Sequence, residues 1–166
     1  MVYDSFAAFS ISMSEQYAAT LPLIEEALAR IRPHGAKETP VLTSGNIDKV
    51  AGRSLFFKGE IFQLGGSFKF RGACNSVFSL TAEEAARGVV CHSSGNHAAA
   101  VALAASIRGI ASHIVVPIGT PQVKIDAVKA AGGSLILCEP TIEAREATCA
   151  KAGARFPSTR ACSHAL

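Results

Sequence analysis

The sequence predicts an α/β protein in which helices pack on both faces of a parallel β-α-β sheet, giving three layers. Short apolar segments at 88–91, 112–117 and 134–138 have the composition of buried strands. Each precedes a segment with helical character, and glycine-containing turns at 109 and 132–133 join helix to strand. This alternation is typical of β-α-β units with right-handed crossovers, which build a parallel sheet.

The three helices that follow these strands are predicted at 95–108, 121–131 and 141–151. The second of them begins with a proline, which the first turn of a helix tolerates. The remaining stretch, 152–166, shows neither strand alternation nor helical periodicity, and we expect a loose, divergent tail there.

The first half of the chain is less regular. Apolar residues at helical spacing predict a helix over 14–32, which Ser14 can cap. Because Pro22 disturbs its middle, the alternative is a start near Leu21 with the proline in the first turn. An extended segment is predicted next at 39–42, then a short helix at 46–51 and an aromatic-rich strand at 54–60. A helix that ends near Leu80 follows, and 81–84 has the spacing of a capping box that opens another short helix.

The composition argues against several classes of protein. The chain has 166 residues, 49% of them hydrophobic, which is enough to bury a sizeable core. No stretch approaches the ~20 consecutive apolar residues that a membrane-spanning helix needs, so we expect no membrane segment. The net charge is only +3, the charged residues are interspersed, and Trp is absent, so we expect no nucleic-acid partner.

The cysteines and the N-terminus indicate a cytoplasmic protein. There are five cysteines, an odd number, and none forms a C-x-x-C pair. Free, mostly buried thiols in a reducing compartment are therefore expected, rather than a zinc site or disulfides. Residues 1–13 lack the basic start of a secretory signal and the arginines of a transit peptide. We expect this stretch to be disordered.

The segment 65–73 joins a glycine turn to a helix and contains Lys69 among apolar and small residues. A cation is poorly placed at the amino end of a helix because the macrodipole is positive there. Desolvation and the nearby charge of Arg71 would favour the neutral amine that forms Schiff bases. Two interpretations stay open from this segment alone, a reactive lysine and an ordinary surface lysine beside a turn.

A second polar segment, 92–97, lies between a predicted buried strand and a helix N-terminus. Backbone N–H groups and the helix dipole favour an anion at such a junction. Ser93, Ser94 and Asn96 add side-chain donors, and Gly95 lets a ligand approach the backbone closely. The segment therefore predicts a binding site for carboxylate or phosphate, with a polar helix cap that binds nothing as the alternative.

Other familiar site patterns are absent from the sequence. His92 and His97 have no further ligands at metal-binding spacing, so we expect no metal site. Ser94 does not lie in a G-x-S-x-G nucleophile elbow. The glycine-rich nucleotide motifs G-x-G-x-x-G and G-x-x-x-x-G-K-[ST] do not occur either.

Together, the two segments resemble the active-site motifs of fold-type II pyridoxal-phosphate enzymes. The motifs are SFKFRGA at 67–73 and SSGNH at 93–97, and the similar stretches around them are 39–44, 52–58, 109–117 and the lysine-bearing helix that ends at Gly132. The branch that the chain resembles most is that of the serine racemases and serine/threonine dehydratases, above all those of plants, over about 14–151. The resemblance implies a tryptophan-synthase-β-like fold with an incomplete large domain and a small open-sheet lobe.

The resemblance also implies a role for each matched residue. Lys69 would hold pyridoxal phosphate as a Schiff base and act on one face of the substrate, and Ser94 would act as acid and base on the other. Phe68 would pack beside the cofactor, and Asn96 would hydrogen-bond its ring hydroxyl. Substrate binding would involve Ser93, Ser94, Asn96, His97 and Arg145. The implied reactions are racemisation of serine and dehydration of serine or threonine to a 2-oxo acid and ammonia.

In domain terms, the resemblance implies the N-terminal part of a large cofactor domain at 14–84 and a small β-α-β domain at 85–151, flanked by 1–13 and the tail 152–166. The family pattern continues with a glycine-rich phosphate loop, metal-binding carboxylates and a serine facing the pyridine nitrogen, and none of these is found here. Mg²⁺, ATP and a homodimer are expected for the family. Residues 45–46 and 64–65 differ from those that bind ATP in its racemases.

We therefore expect a truncated chain with weak cofactor binding and little activity. Three interpretations stay open. The chain is an active racemase or dehydratase if it belongs to a longer product, a non-catalytic partner that docks on full-length subunits, or a poorly folded remnant whose unfinished sheet exposes apolar strand edges.

Overall fold

The main sheet has three parallel strands in the order in which they occur in the chain. The computed structural model describes residues 19–155, with Arg155 described by its backbone alone. The strands are β3 (Val89–His92), β4 (Ser112–Pro117) and β5 (Ser134–Cys138), numbered after two short strands that precede them. β4 lies between β3 and β5 and pairs with both, from Val89 opposite Ser112 to Pro117 opposite Cys138. The predicted parallel β-α-β sheet is confirmed.

The helices are numbered in chain order around this sheet. They are α1 (Leu21–Ile31), α2 (Gly45–Ala51), α3 (Lys69–Phe78), α4 (Ala82–Ala86), α5 (Asn96–Arg108), α6 (Gln122–Ala130) and α7 (Ile142–Arg155). Short 3₁₀ turns occur at Arg32–His34, Glu60–Phe62 and Leu64–Gly66, and the two short strands are β1 (Val41–Leu42) and β2 (Phe57–Lys58). The predicted capping box at α4 is confirmed, since Thr81 Oγ1 accepts the Glu84 N–H and the Glu84 carboxylate accepts the Thr81 N–H.

Alternating strand residues divide the core into two layers. Val89 and Cys91 face one side of the sheet, where they pack with α5 and Val128 of α6, and Val90 faces the other side, where Cys149 of α7 covers it. Helices on both faces explain why these strands read as continuous apolar runs rather than as alternating ones. The three-layer arrangement predicted from the sequence is therefore present.

A further helical layer packs on the outside of α5. The buried face of α3 is formed by Phe70, Ala73, Cys74 and Val77. α5 presents mostly alanine to the core, and small side chains allow two helices to approach closely. α1 in turn packs on α3, where Ile31 is buried and the Arg30 guanidinium donates to Asn75 Oδ1 over 2.5 Å.

The predicted strand at 54–60 is wrong over most of its length. Only β2 is extended and paired, antiparallel to β1, and a 3₁₀ turn begins at Glu60. Pro40 explains one end of the short ladder, because it precedes β1 and has no N–H to donate. Its carbonyl instead accepts the N–H of Gly59 at 2.8 Å, and the chain turns there. At the other end, the Leu55 N–H donates to Asp48 Oδ1 over 2.9 Å instead of to a strand.

Two helix boundaries also differ from the sequence predictions. α1 begins at Leu21 with Pro22 in its first turn, which confirms the alternative start, whereas Ser14 lies outside the described residues. α7 continues to Arg155, so 152–155 are helical and the prediction of a loose tail is wrong for them. The rest of that tail, like the predicted disorder of 1–13, lies outside the described residues.

Candidate active site

Lys69 is the first residue of α3, and its side chain is partly buried. Its Nζ lies 5.0 Å from the centroid of the Phe68 ring, within the range of a cation–π contact. Gly65 and Gly66 precede it at φ values of +73° and +72°, which favour glycine. This turn brings the chain into α3, so that the amine stands at the amino end of a helix, as the sequence indicated.

Arg71 corrects one part of the sequence argument. Its guanidinium donates to both carboxylate oxygens of Glu60, from Nε over 2.9 Å and from Nη2 over 2.8 Å. These bonds lower the pKa of Glu60 to about 2 and raise the pKa of Arg71. Because Glu60 balances the charge, Arg71 does not act on Lys69 as a lone cation.

The segment 93–97 joins the carboxyl end of β3 to the start of α5. The N–H of Ser93 donates to the Val115 carbonyl over 3.2 Å, which ties the segment to β4. The N–H of Gly95 donates to Ser93 Oγ over 3.4 Å. Ser93, Ser94 and His97 are partly buried, and Asn96 is exposed.

The amino end of α5 is open to a ligand. Among the described residues, no side chain caps this helix, whose N-cap is Gly95. A Cβ added at Gly95 would meet no described atom within 4 Å, so the backbone can be approached there. The positive end of the dipole and the nearby hydroxyl groups suit a carboxylate or a phosphate. Of the two alternatives predicted for this segment, the geometry favours the anion site over the side-chain cap.

Lys69 and the 93–97 segment lie toward the same end of the molecule. α3 packs along α5, and the two carboxyl ends meet, because the Arg108 guanidinium at the end of α5 donates to the carbonyls of Val77 and Leu80. The amino ends of the two helices therefore point the same way. One of them carries the lysine, and the other carries the candidate anion site.

Arg145 lies at the same edge of the sheet but on its other face. It is in the first turn of α7, which follows β5, whereas the 93–97 segment follows β3 and β4 lies between. Two strand spacings amount to about 10 Å, so the backbone places Arg145 beside the site rather than within the segment. Its Nε is buried, with no hydrogen-bond partner among the described residues. Burial raises the pKa of the nearby Cys138 thiol, and the charge of Arg145 opposes that rise.

Other kinds of site find no support in the described part of the chain. Within residues 19–155, no group of three or more His, Cys, Asp and Glu residues is arranged to hold a metal ion. No helix in this range is long and apolar enough to cross a membrane. Four of the five cysteines fall within it, and all four are buried thiols that form no disulfide, as the sequence predicted: Cys74, Cys91, Cys138 and Cys149.

Comparison with known proteins identifies the family. Residues 33–164 match the family described as pyridoxal-phosphate dependent enzyme. The chain belongs to this family. The match extends past residue 151, so it includes most of the stretch that the sequence analysis took as a divergent tail.

The similar proteins are fold-type II enzymes. Serine racemase of Arabidopsis thaliana is 56% identical over 137 residues, which are 82% of this chain and 41% of that protein. The β-hydroxyaspartate dehydratase of Paracoccus denitrificans is 47% identical over 134 residues, covering 79% of this chain and 42% of that protein. The structure of maize serine racemase superposes with a TM-score of 0.84 at 49% identity over 86% of this chain and 43% of that one. The chain thus spans about two fifths of the length of the curated relatives that it matches.

The described residues fit part of the family's cofactor. A half-buried lysine amine beside an exposed aromatic ring, with Asn96 exposed at the start of α5, suits a covalently held aromatic aldehyde. An anion can be bound at the 93–97 segment.

A polar network that was not predicted from the sequence adjoins Lys69. Glu60 and Arg71 form its ion pair, Thr39 Oγ1 donates to Glu60 over 2.6 Å, and the buried Gln63 bonds to the backbone of Lys37 in both directions over 2.9 Å. The sequence contained one indication of this network, because a cation such as Arg71 in the first turn of a helix lies near the positive end of the dipole and is stabilised by an acidic partner. Its acidic partner is eleven residues away and could not be chosen from the sequence.

Proposed function

We propose that this chain supplies the lysine and the substrate-binding segment of an enzyme that racemises serine and dehydrates serine or threonine with pyridoxal phosphate. The observation that supports this most is the placement of Lys69 and the 93–97 segment at one end of the molecule. The names of the relatives, serine racemase and β-hydroxyaspartate dehydratase, agree with both reaction types.

In this proposal, Lys69 has two tasks. Its amine binds the cofactor covalently, and its Nζ then removes or returns the α-proton on one face of the substrate. The bound cofactor withdraws electrons from the substrate Cα and so makes the α-proton removable. Phe68, about half exposed beside the amine, would cover one side of the cofactor, and Asn96 would donate to its ring hydroxyl.

Ser94 is the group proposed for the opposite face. Its Oγ delivers a proton to Cα or accepts one from it, so that two proton-transfer groups on opposite faces permit inversion. If Cα is not reprotonated, the β-hydroxyl would leave as water with the proton that Lys69 removed from Cα, and the resulting enamine would hydrolyse to the 2-oxo acid and ammonia. The substrate carboxylate is bound at the amino end of α5 by Ser93, Asn96 and His97. Arg145 approaches from the neighbouring strand end.

Attachment of the cofactor to Lys69 tests the proposal directly. The chain is incubated with pyridoxal phosphate, reduced with borohydride and mapped by mass spectrometry. We expect the pyridoxyl group on Lys69 in preference to the exposed Lys129, and complete loss of that label in Lys69→Ala. Equal labelling of Lys69 and Lys129 would overturn the proposal.

Product formation tests the roles of the two groups. D-Serine and pyruvate are assayed from L-serine, and we expect slow turnover because the chain spans about two fifths of its relatives. Ser94→Ala should lower D-serine formation by about 100-fold or more, the usual contribution of a positioned proton-transfer group. Lys129→Ala should leave both products unchanged. Retention of D-serine formation in Ser94→Ala would assign the second face to another residue.

A second function is favoured by the exposed apolar surface of the first part of the chain. Large hydrophobic side chains on α1, β1, β2 and the adjoining turn are exposed, among them Leu21, Leu23, Ile24, Leu28, Val41, Phe56, Ile61 and Phe62. Where such side chains form one contiguous patch, the patch marks an interaction site. We propose as its partner a full-length subunit of the same family, to which the chain would bind as a non-catalytic or regulatory subunit.

Co-elution tests this second function. The chain is mixed with a full-length serine racemase and analysed by size-exclusion chromatography with light scattering. We expect a complex that Ile24→Glu, on α1, weakens by at least tenfold. Val123→Glu, which introduces the same charge at a site 73% exposed on α6, is the matched control and should bind normally. A chain that stays monomeric in the presence of the full-length enzyme would contradict the proposal.

A further inference from the structure

The backbone of Lys37 is bonded to residues on both sides of Lys69. Gln63 Nε2 donates to the Lys37 carbonyl over 2.9 Å, and Arg71 Nη2 donates to the same oxygen over 3.0 Å. The N–H of Lys37 donates in turn to Gln63 Oε1 over 2.9 Å. A single peptide group thus anchors the chain six residues before the lysine and two residues after it. We call Gln63, Arg71 and the Lys37 backbone the Lys37 clamp.

Neighbouring groups fix both side chains of the clamp. Gln63 is 3% exposed, and its Oε1 also accepts the N–H of Leu64 over 2.9 Å, so hydrogen bonds to both its oxygen and its nitrogen fix the orientation of the amide. Arg71 is aligned by the two-point contact with Glu60, a geometry that guanidinium and carboxylate favour. Thr39, 4% exposed, donates to Glu60 and accepts from Arg71 over 3.3 Å. Each partner therefore has a defined orientation.

Between the two anchors, Leu64 packs against the core and the Gly66 N–H donates to the Gln63 carbonyl over 2.8 Å, and the residues that follow are less well packed. Gly65 and Gly66 adopt positive φ, and a Cβ on Gly66 would meet no described atom within 4 Å. Within the described chain, no side chain caps the start of α3. Phe68 is 53% exposed. After Leu64, the next hydrophobic residue in the core is Phe70, so the position of Lys69 depends on what fixes the glycine turn and the first helical turn.

We propose that Gln63 and Arg71 are positioning residues, which fix the amine of Lys69 by holding the turn before it and the helix after it on the Lys37 backbone. The expected effect on catalysis rests on the proposed function of Lys69, whereas the expected effect on the position of its amine does not. A misplacement of about 1 Å is enough to lower the rate of a positioned group by up to about 100-fold.

The test compares conservative variants of two arginines that bond at opposite ends of α3, Arg71 at its amino end and Arg108 of α5 at its carboxyl end. Arg71→Lys keeps the charge but loses the two-point contact and the bond to Lys37 at the amino end of α3. Arg108→Lys loses the bonds to the Val77 and Leu80 carbonyls at the carboxyl end. Gln63→Met is the third variant, since it preserves the length of the side chain and removes its amide. All three are studied in the full chain, with denaturant unfolding to compare their stability.

Two measurements report on Lys69. The first is the rate of pyridoxal phosphate attachment to Lys69 relative to Lys129, trapped by borohydride and measured by mass spectrometry. We expect Arg71→Lys and Gln63→Met to lower this ratio by about tenfold or more. Arg108→Lys should leave the ratio within about twofold of wild type, even if this variant loses as much stability as the two clamp variants do. The second is amide hydrogen exchange over 66–70, which should accelerate by about tenfold in the two clamp variants and remain unchanged in Arg108→Lys.

The outcomes separate this inference from the proposed function. If wild type labels Lys69 selectively and the clamp variants label it equally well, the positioning role is refuted and the function stands. If wild type shows no preference for Lys69, the proposed function fails, and the exchange rates alone decide about the clamp. The positioning role of the clamp would be refuted if amide exchange over 66–70 were the same in wild type and all variants. It would also be refuted if exchange accelerated as much in Arg108→Lys as in the two clamp variants.

Discussion

Glu60→Gln should destabilise the folded chain at neutral pH, and the difference should disappear in acid. The Glu60 carboxylate accepts two hydrogen bonds from Arg71 and one from Thr39, and these lower its pKa from 4.5 to about 2. One pKa unit corresponds to ~1.4 kcal/mol, so the charged form contributes about 3 kcal/mol at most above pH 5. We expect a loss of about 2–3 kcal/mol at pH 7, since the side chain retains 21% exposure.

The sign of the pH dependence follows from the lowered pKa. The folded chain binds fewer protons at Glu60 than the unfolded chain does between pH 5 and 2, so stability falls as the pH drops through this window. At pH 7, where both states are ionised, the contribution is fully present. Below pH 2 wild type has lost it, and the variant, which has no charge to lose, should then match wild type.

Urea unfolding from pH 7 to pH 2.5 measures this difference. Glu83→Gln is the matched control, because the Glu83 side chain is 88% exposed and its contact with Arg87 is 3.9 Å long. We expect the control to change stability by less than about 0.5 kcal/mol at every pH. A loss in Glu60→Gln that stays constant from pH 7 to pH 3 would refute the reasoning. If acid unfolds the chain first, NMR titration of the Glu60 carboxylate provides the same test.

The remaining predictions concern the core and the backbone. Burial raises the pKa of Cys74 to about 11, so iodoacetamide at pH 8 should alkylate it at least about 100-fold more slowly in the folded chain than in urea, and equal rates would contradict this. Gly88→Ala should cost at least ~2 kcal/mol, because the new Cβ would lie 2.7 Å from the Ala111 carbonyl oxygen at a φ of +81°. Gly45→Ala should instead stabilise by ~0.4–1 kcal/mol in the same thermal unfolding assay, since it lies in a helix with no described atom within 4 Å of the new Cβ. Thr81→Ala should cost ~1 kcal/mol through loss of the capping box, and an unchanged midpoint would show that this cap is not stabilising.

The regular half of the fold follows from short-range patterns. β4 and β5 have their predicted bounds, and α5 begins within one residue of its predicted start, because apolar runs and glycine turns specify them locally. The strand predicted at 54–60 failed for a non-local reason. Its pairing ends beyond Lys58 where Pro40, far away in the sequence, offers a carbonyl but no N–H, and before Phe57 the Leu55 N–H is bound by the Asp48 side chain.

The candidate site also has one part that local sequence patterns predict and another part that only the fold brings together. Lys69 and the 93–97 segment could be selected from the sequence because each lies where the local pattern changes from a turn to a helix. The groups that orient Lys69 could not be selected. The Gln63 amide reaches back twenty-six residues to a backbone group, and backbone groups leave no signature in the sequence. Side-chain hydrogen bonds to the backbone are common, yet their partners are fixed only by the fold.

Lys69 stands at the boundary between two parts of the chain that differ in how well they are packed. The buried hydrophobic residues of the described chain begin, apart from Ile31, with Phe70. Before that point, α1, β1 and β2 expose most of their large apolar side chains. The Lys37 clamp connects these parts together with the packing of α1 on α3 and the Arg30–Asn75 bond, so it joins the lysine helix to a segment with little core of its own. It follows that a partner covering the exposed apolar surface would also steady the Lys37 backbone and, through it, Lys69. If the full-length subunit binds as proposed, amide exchange over 66–70 should therefore slow in the complex, and this slowing should be lost in Arg71→Lys while binding persists.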